Sequence, residues 1–136
     1  MNKKIKIPLI YISNNFTFYA SIIYNNIKCN LNKLKIPYII FLENKYLLIY
    51  NNKEYLLKNI SEVVYFCSSI IIIEASYKDK YIQNIVNLFL DKGLDILCFP
   101  SNILNKKANF SNNLIRDGAI CLTSEHMLIE YLITFA

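Results

Sequence analysis

Two adjacent lysines, Lys106 and Lys107, stand in a stretch otherwise made of serine, asparagine and apolar residues. Ammonium groups beside hydroxyls and carboxamides suit phosphate oxygens, so Ser101, Lys106, Lys107 and Asn112 form a candidate nucleic-acid contact set, with Phe110 as a ring on which a base could stack. Arg116 follows Asn112 by one helical turn. On a helix the two would share a face, and the guanidinium would add a bidentate phosphate contact. The competing reading is a solvated basic loop, with Arg116 and Asp117 a neighbour pair holding the turn at Gly118.

No catalytic set assembles. The single histidine, His126, follows Glu125 at the start of a predicted helix with no serine or cysteine nucleophile placed beside it, which suits a surface or capping role. Glu74 ends an isoleucine-rich strand and could serve as a base or ribose ligand, although carboxylates there commonly bond a loop backbone instead. Gly-x-Gly-x-x-Gly and Walker lysine loops are absent. Cys29, Cys67, Cys98 and Cys121 lack Cys-x-x-Cys spacing and read as reduced thiols of a cytoplasmic protein, with neither disulfides nor a metal site, and no cofactor is implied.

Placing such residues requires a framework, and the composition supplies one. The 136 residues are 54% hydrophobic, enough for one domain over 1–136 with a real core and incompatible with disorder. A net charge of +5 and a pI near 9.0 favour an anionic partner, but lysine, asparagine, isoleucine and tyrosine are enriched together, as AT-rich coding alone would produce. Only two glycines are present, Gly93 and Gly118, and one arginine, Arg116. Typical chains carry about 7% glycine, so most backbone positions needing positive φ must fall to other residues, asparagine first. Lys3, Lys4 and Lys6 precede an apolar segment broken by Asn14 and Asn15, which is not a secretory signal, and no apolar run reaches the ~20 residues of a membrane span.

Along the chain, 7–12 reads as a strand, or edge strand, because of Pro8. A helix follows, with Tyr19, Ile23, Ile27, Leu31 and Leu34 on one stripe. Residues 38–42 form the next buried strand, and 46–50 could pair back on it as a hairpin. The pattern predicts a helix over 54–66, striped by Leu56, Ile60, Val63, Val64 and Cys67. The isoleucine run 70–73 is a strand buried on both faces. Ile82, Ile85, Val86 and Phe89 then mark a helix ended by Gly93 in a left-handed cap, and 95–99 a short strand stopped by Pro100. Ligands bind beyond the carboxyl ends of parallel strands, so the loop 101–111 is where function is expected. A last helix begins at Ser124 or Thr123. Alternating strands and helices imply an α/β protein, a Rossmann-like three-layer sandwich with a mostly parallel sheet.

Three pieces carry a family resemblance. These are Ile70-Ile71-Ile72-Ile73-Glu74-Ala75, then Gly93 with Asp95-Ile96-Leu97-Cys98-Phe99-Pro100, then Asn112-Asn113-Leu114-Ile115-Arg116-Asp117-Gly118-Ala119 with Leu122-Thr123-Ser124. Together they resemble the carboxyl-terminal part of the DprA (Smf) DNA-processing family, best over 69–124, with the last piece the most specific. The resemblance implies a non-enzymatic, cytoplasmic protein that binds single-stranded DNA and loads a RecA-type recombinase during recombination or DNA uptake. It also implies a partner or homodimer surface at Leu114, Ile115 and Cys121.

Departures from the family pattern are substantial. Its Arg-Asn-Arg run corresponds approximately to Asn59-Ile60-Ser61, its Ser-Gly pair to Asp79-Lys80, its Pro-Gly turn to Pro100-Ser101 and its Arg-Gly to Asn109-Phe110. The Gly-Ser-Arg loop and Ser-Gly-x-Ala region of its first half have no counterpart in this sequence. Each lost glycine let a backbone amide approach phosphate, so the inherited pocket should be narrowed or filled. Two alternatives therefore stand beside DNA processing: an interaction module that has kept the fold and lost nucleic acid, and a nucleotide-cleaving hydrolase of the same superfold.

Overall fold

The structure, a computed structural model, describes residues 7–135; Lys3, Lys4 and Lys6 lie outside the described residues. Its sheet has seven strands: β1 (Ile7–Ile12), β2 (Tyr38–Leu42), β3 (Lys45–Tyr50), β4 (Lys53–Leu57), β5 (Cys67–Glu74), β6 (Asp95–Cys98) and β7 (Ile120–Cys121). Five α-helices connect them: α1 (Phe18–Lys33), α2 (Ile60–Phe66), α3 (Lys80–Asp91), α4 (Asn109–Arg116) and α5 (Glu125–Ile133). The strand order is β4-β3-β2-β1-β5-β6-β7. From β2 to β7 all neighbours are parallel, and β3 and β4 add an antiparallel flank. The expected α/β class with a mostly parallel sheet is what the chain forms.

Strand residues divide by parity. Leu9, Tyr11, Ile39, Phe41, Ile70 and Ile72 pack with Val63 of α2, with Ile82, Ile85, Val86 and Phe89 of α3, and with Phe110 of α4. Ile10, Ile12, Ile40, Ile71, Ile73 and Leu97 pack with Ala20, Ile27 and Leu31 of α1 and with Leu128 and Leu132 of α5. Apolar side chains are thus covered on both sides of β1 and β5, which explains continuous rather than alternating hydrophobicity in those strands. Burying each Ile or Leu contributes about 1.5–3 kcal/mol.

Three helices close in the same way. After α1, α3 and α4 a residue takes positive φ, respectively Lys35 (57°), Gly93 (70°) and Gly118 (113°). In each turn two backbone bonds satisfy the last carbonyls, as where Gly93 N–H donates to Leu90 O at 3.0 Å and Leu94 N–H to Phe89 O at 2.9 Å. Both glycines therefore sit where side-chain strain would otherwise arise. The remaining positive-φ residues form two hairpin turns, Glu43-Asn44 and Asn51-Asn52, each with both central residues left-handed as a type I′ turn demands. Asparagine fills three of those four places, as expected of a glycine-poor chain.

Several expectations need correction. Residues 53–57 are not helical: the Asn51-Asn52 turn folds them back as β4, and the helix begins only at Ile60, capped by Asn59 Oδ1 accepting from Glu62 N at 3.1 Å. The anticipated hairpin on β2 is present as β3. β1 is central rather than an edge, and Pro8 is accommodated there because the pairing register to β5 shifts between Ile7 and Pro8. Tyr19, placed on the buried stripe of α1, is exposed.

Cys67 and Cys98 are buried free thiols, while Cys29 is exposed and Cys121 half-buried. Burial pushes the Cys98 thiol up to about 12 and Cys67 still higher, so both stay protonated. Among the described residues no helix is long and apolar enough to cross a membrane.

Candidate functional site

β1, β2, β5 and β6 all end at one edge of the sheet, and there the connections diverge. The chain leaves β1 through α1 to reach β2 on one side, and leaves β5 through α3 to reach β6 on the other. Divergence opens a crevice between the ends of β1 and β5, where ligands bind in sheets of this kind. A cleft of about 430 Å3 lies at this place. Its walls are Ser13, Asn14 and Asn15 after β1, Ser76, Lys78 and Asp79 after β5, and Lys106, Lys107 and Asn109 from the segment beyond β6. Lys107 Nζ reaches Asn15 Oδ1 at 3.4 Å across the opening. Three lysines and one carboxylate, Asp79, thus line the cleft, which is cationic.

Glu74 organises this edge from below. Buried at the end of β5, its carboxylate accepts from Thr17 N–H at 2.9 Å, Thr17 Oγ1 at 2.7 Å and Asn105 Nδ2 at 3.1 Å. Thr17 is the N-cap of α1, so a negative charge lies where the positive end of that helix favours it. Asn105 also donates to Ser101 Oγ at 3.0 Å and accepts from Lys107 N–H at 3.1 Å. The lysine segment is therefore fixed to the sheet through one asparagine, and the structural role weighed for Glu74 is the one its bonds display.

Two of the helices that start around this cleft are supplied with an acceptor from the chain itself. Glu74 serves α1. At α3 the side chain of the N-cap, Asp79, turns back to accept from Ser76 N–H at 3.1 Å and makes no capping bond to the helix amides. The Ala75 carbonyl takes both Phe110 N–H and Ser111 N–H, each at 3.1 Å, at the start of α4. At α1 and α4, amides of the kind that hold phosphate in nucleotide sites are engaged by protein oxygens. The lysine side chains in the lining are the charged groups that suit an anion.

The sequence-derived candidates separate in space. Lys106 and Lys107 are exposed on a 3-10 turn at the cleft. Ser101 lies behind them, bound by Asn105, and Asn112 closes a ring on it: Ser101 N–H donates to Asn112 Oδ1 at 3.0 Å and Asn112 Nδ2 to Ser101 O at 3.1 Å. Asn112 thus shapes the loop. Arg116 does not join the lysines. α4 descends from the strand ends toward the opposite edge, where β7 begins, which puts Arg116 about 10 Å along the helix from Asn109. It is exposed there with its Nε 3.4 Å from Asp117 Oδ1. Phe110 is not available for stacking: it lies within α4, 8% exposed and edge-on to Tyr77 at 5.2 Å. The loop therefore ends at Ala108 rather than at Ser111.

Leu114 and Ile115 pack one side against the core, and Cys121 is half-buried on the short edge strand β7. His126 is exposed and pairs with Glu130 at 2.8 Å. Sequence reasoning missed Lys78, Asn14, Asn15 and Asn105. The rule that selected the loop after β6 applies equally to the loops after β1 and β5, and would have found the first three.

Fold and site together define an α/β domain with a mostly parallel sheet and a cationic cleft at the point where its connections diverge. No family model matches the chain, and no curated protein matches it.

Proposed function

We propose that this domain binds single-stranded DNA through the lysine cleft, as a non-enzymatic, cytoplasmic, DprA-like DNA-processing protein that serves a RecA-type recombinase. The convergence of Lys78, Lys106 and Lys107 on one cleft carries this reading. Such a surface offers point charges to a phosphate backbone. The starts of α1 and α4, engaged by protein oxygens, offer little to the compact phosphates of a nucleotide, which speaks against the hydrolase. The two packing clusters on alternate strand residues fit the three-layer, Rossmann-like sandwich of that family. In this reading Asn112 and Ser101 position the lysine segment and Arg116 lies outside the DNA contact.

Fluorescence anisotropy with labelled oligo-dT tests the proposal. Binding that is lost in a Lys106→Ala, Lys107→Ala double variant supports it; binding unchanged in that variant, or undetectable at low salt, overturns it.

A second reading, an interaction module, draws on the other edge. Leu90 and Ile120 are exposed beside a groove lined also by Leu94, Ile96, Leu114 and Ala119. If two copies or a partner meet there, Leu90→Lys should abolish dimers seen by light scattering, whereas a monomeric parent chain removes the homodimer.

A further inference from the structure

The lysines account for the charge at the strand ends but not for the apolar surface beside it. Ile103 and Leu104 are 92% and 84% exposed, and Phe18 and Tyr19, at the start of α1, are 81% and 60% exposed. Large apolar side chains are common singly on a surface; two such pairs within the two segments that line one hollow are not. Both pairs are held in place. Asn102 locks the turn, accepting from Leu104 N–H at 2.8 Å through Oδ1 and from Asn105 N–H at 2.9 Å through its carbonyl. The start of α1 is anchored by Thr17 on Glu74.

Between them lies a second cleft of about 420 Å3, walled by Thr17, Tyr19, Pro100, Ser101, Asn102 and Asn105. Asn105 precedes the lysine turn and bonds Lys107 N–H, so it stands between this cleft and the cationic one. The lining combines a ring and a proline with hydroxyls and carboxamides. A nucleobase has the matching chemistry, apolar on its faces and carrying donors and acceptors on its edge. A lipid bilayer fits less well, because the asparagines would enter hydrocarbon without partners. The adjacent ammonium groups supply charge complementary to a phosphate backbone.

We infer that the second cleft is a nucleobase subsite, with the ring of Tyr19 as its stacking surface and Phe18, Ile103 and Leu104 as flanking apolar contacts. This rests on the proposed reading that the lysine cleft holds a DNA strand. Stacking on Tyr19 requires an unpaired base, so the subsite confers preference for single strands over duplex and contacts bases without reading their sequence.

The test compares oligo-dT with an abasic oligonucleotide of equal length and charge, by fluorescence anisotropy, on the parent chain and on Tyr19→Ala, Tyr19→Phe and Phe18→Ala variants; both side chains are exposed, so the fold is preserved. Tyr19→Ala should weaken oligo-dT binding about fivefold or more and leave the abasic strand unaffected, while Tyr19→Phe keeps parent affinity. Equal binding of both oligonucleotides, unchanged by Tyr19→Ala, overturns the subsite and leaves the lysine cleft standing. Failure of both oligonucleotides to bind overturns the DNA reading and the subsite with it. Binding to vesicles of anionic lipid that depends on Phe18, with no discrimination between the oligonucleotides, overturns the subsite in favour of a membrane surface.

Discussion

The two edges of the sheet are finished by different means. Where α1, α3 and α4 reach the edge at which the parallel strands begin, the chain turns through Lys35, Gly93 and Gly118, each turn closed by backbone hydrogen bonds. Where the strands end, side chains join the Ala75 carbonyl in the closing: Glu74 holds Thr17 and Asn105, Asn109 Oδ1 accepts from Tyr77 N–H at 2.9 Å, and Asn112 holds Ser101. Backbone closure leaves few polar groups to spare and needs little beyond a residue tolerant of positive φ. Side-chain closure allows longer loops, and those loops carry Lys78, Lys106 and Lys107 into one cleft. In the proposed reading, the contrast puts ligand chemistry at the strand ends and folding at the opposite edge.

Mutations should separate the two edges. The largest effect is expected from Glu74→Ala, which strands the Thr17 amide and hydroxyl and the Asn105 amide; removing a buried, charged acceptor should cost about 2–4 kcal/mol in denaturant unfolding. Next, Lys106→Ala with Lys107→Ala should reduce oligo-dT affinity at low salt by about tenfold or more while leaving the unfolding midpoint unchanged. At the other edge Gly118→Ala should show the reverse pattern: its φ of 113° strains any side chain, so about 1–2 kcal/mol of stability should be lost with DNA affinity intact. Smallest is Arg116→Ala, which should change oligo-dT affinity by less than about twofold, as expected of an exposed charge away from the cleft. An Arg116 effect as large as that of the lysine pair would break the comparison.

The buried parallel strands were legible because both faces of β1 and β5 are covered, leaving continuous apolar runs. The α3 stripe and its Gly93 cap were legible for similar reasons: all four stripe residues are buried and the glycine takes the predicted positive φ. Reading failed where exposure removes the signal. β4 is an edge strand with four of five residues exposed, and its Leu56 happened to continue the helical spacing of Ile60 and Val63. The Asn51-Asn52 pair was the better sign, since adjacent asparagines suit a turn with two positive φ values. Phe110 was misread because its burial depends on the Ala75 carbonyl anchoring α4, a contact spanning 35 positions that no local pattern reveals. Tyr19 holds a proper stripe position, yet it lies on the first turn of α1, at the cleft rather than over the core.

Affinity for oligo-dT as a function of salt concentration addresses the cationic cleft most directly. With three lysines neutralising about three phosphates, log affinity should fall against log salt with a slope of about −2, and the slope should flatten by about one unit or more when Lys106 and Lys107 are both alanine. Affinity independent of salt, or a slope unchanged by removal of both ammonium groups, would contradict the assignment of DNA binding to the ends of the parallel strands.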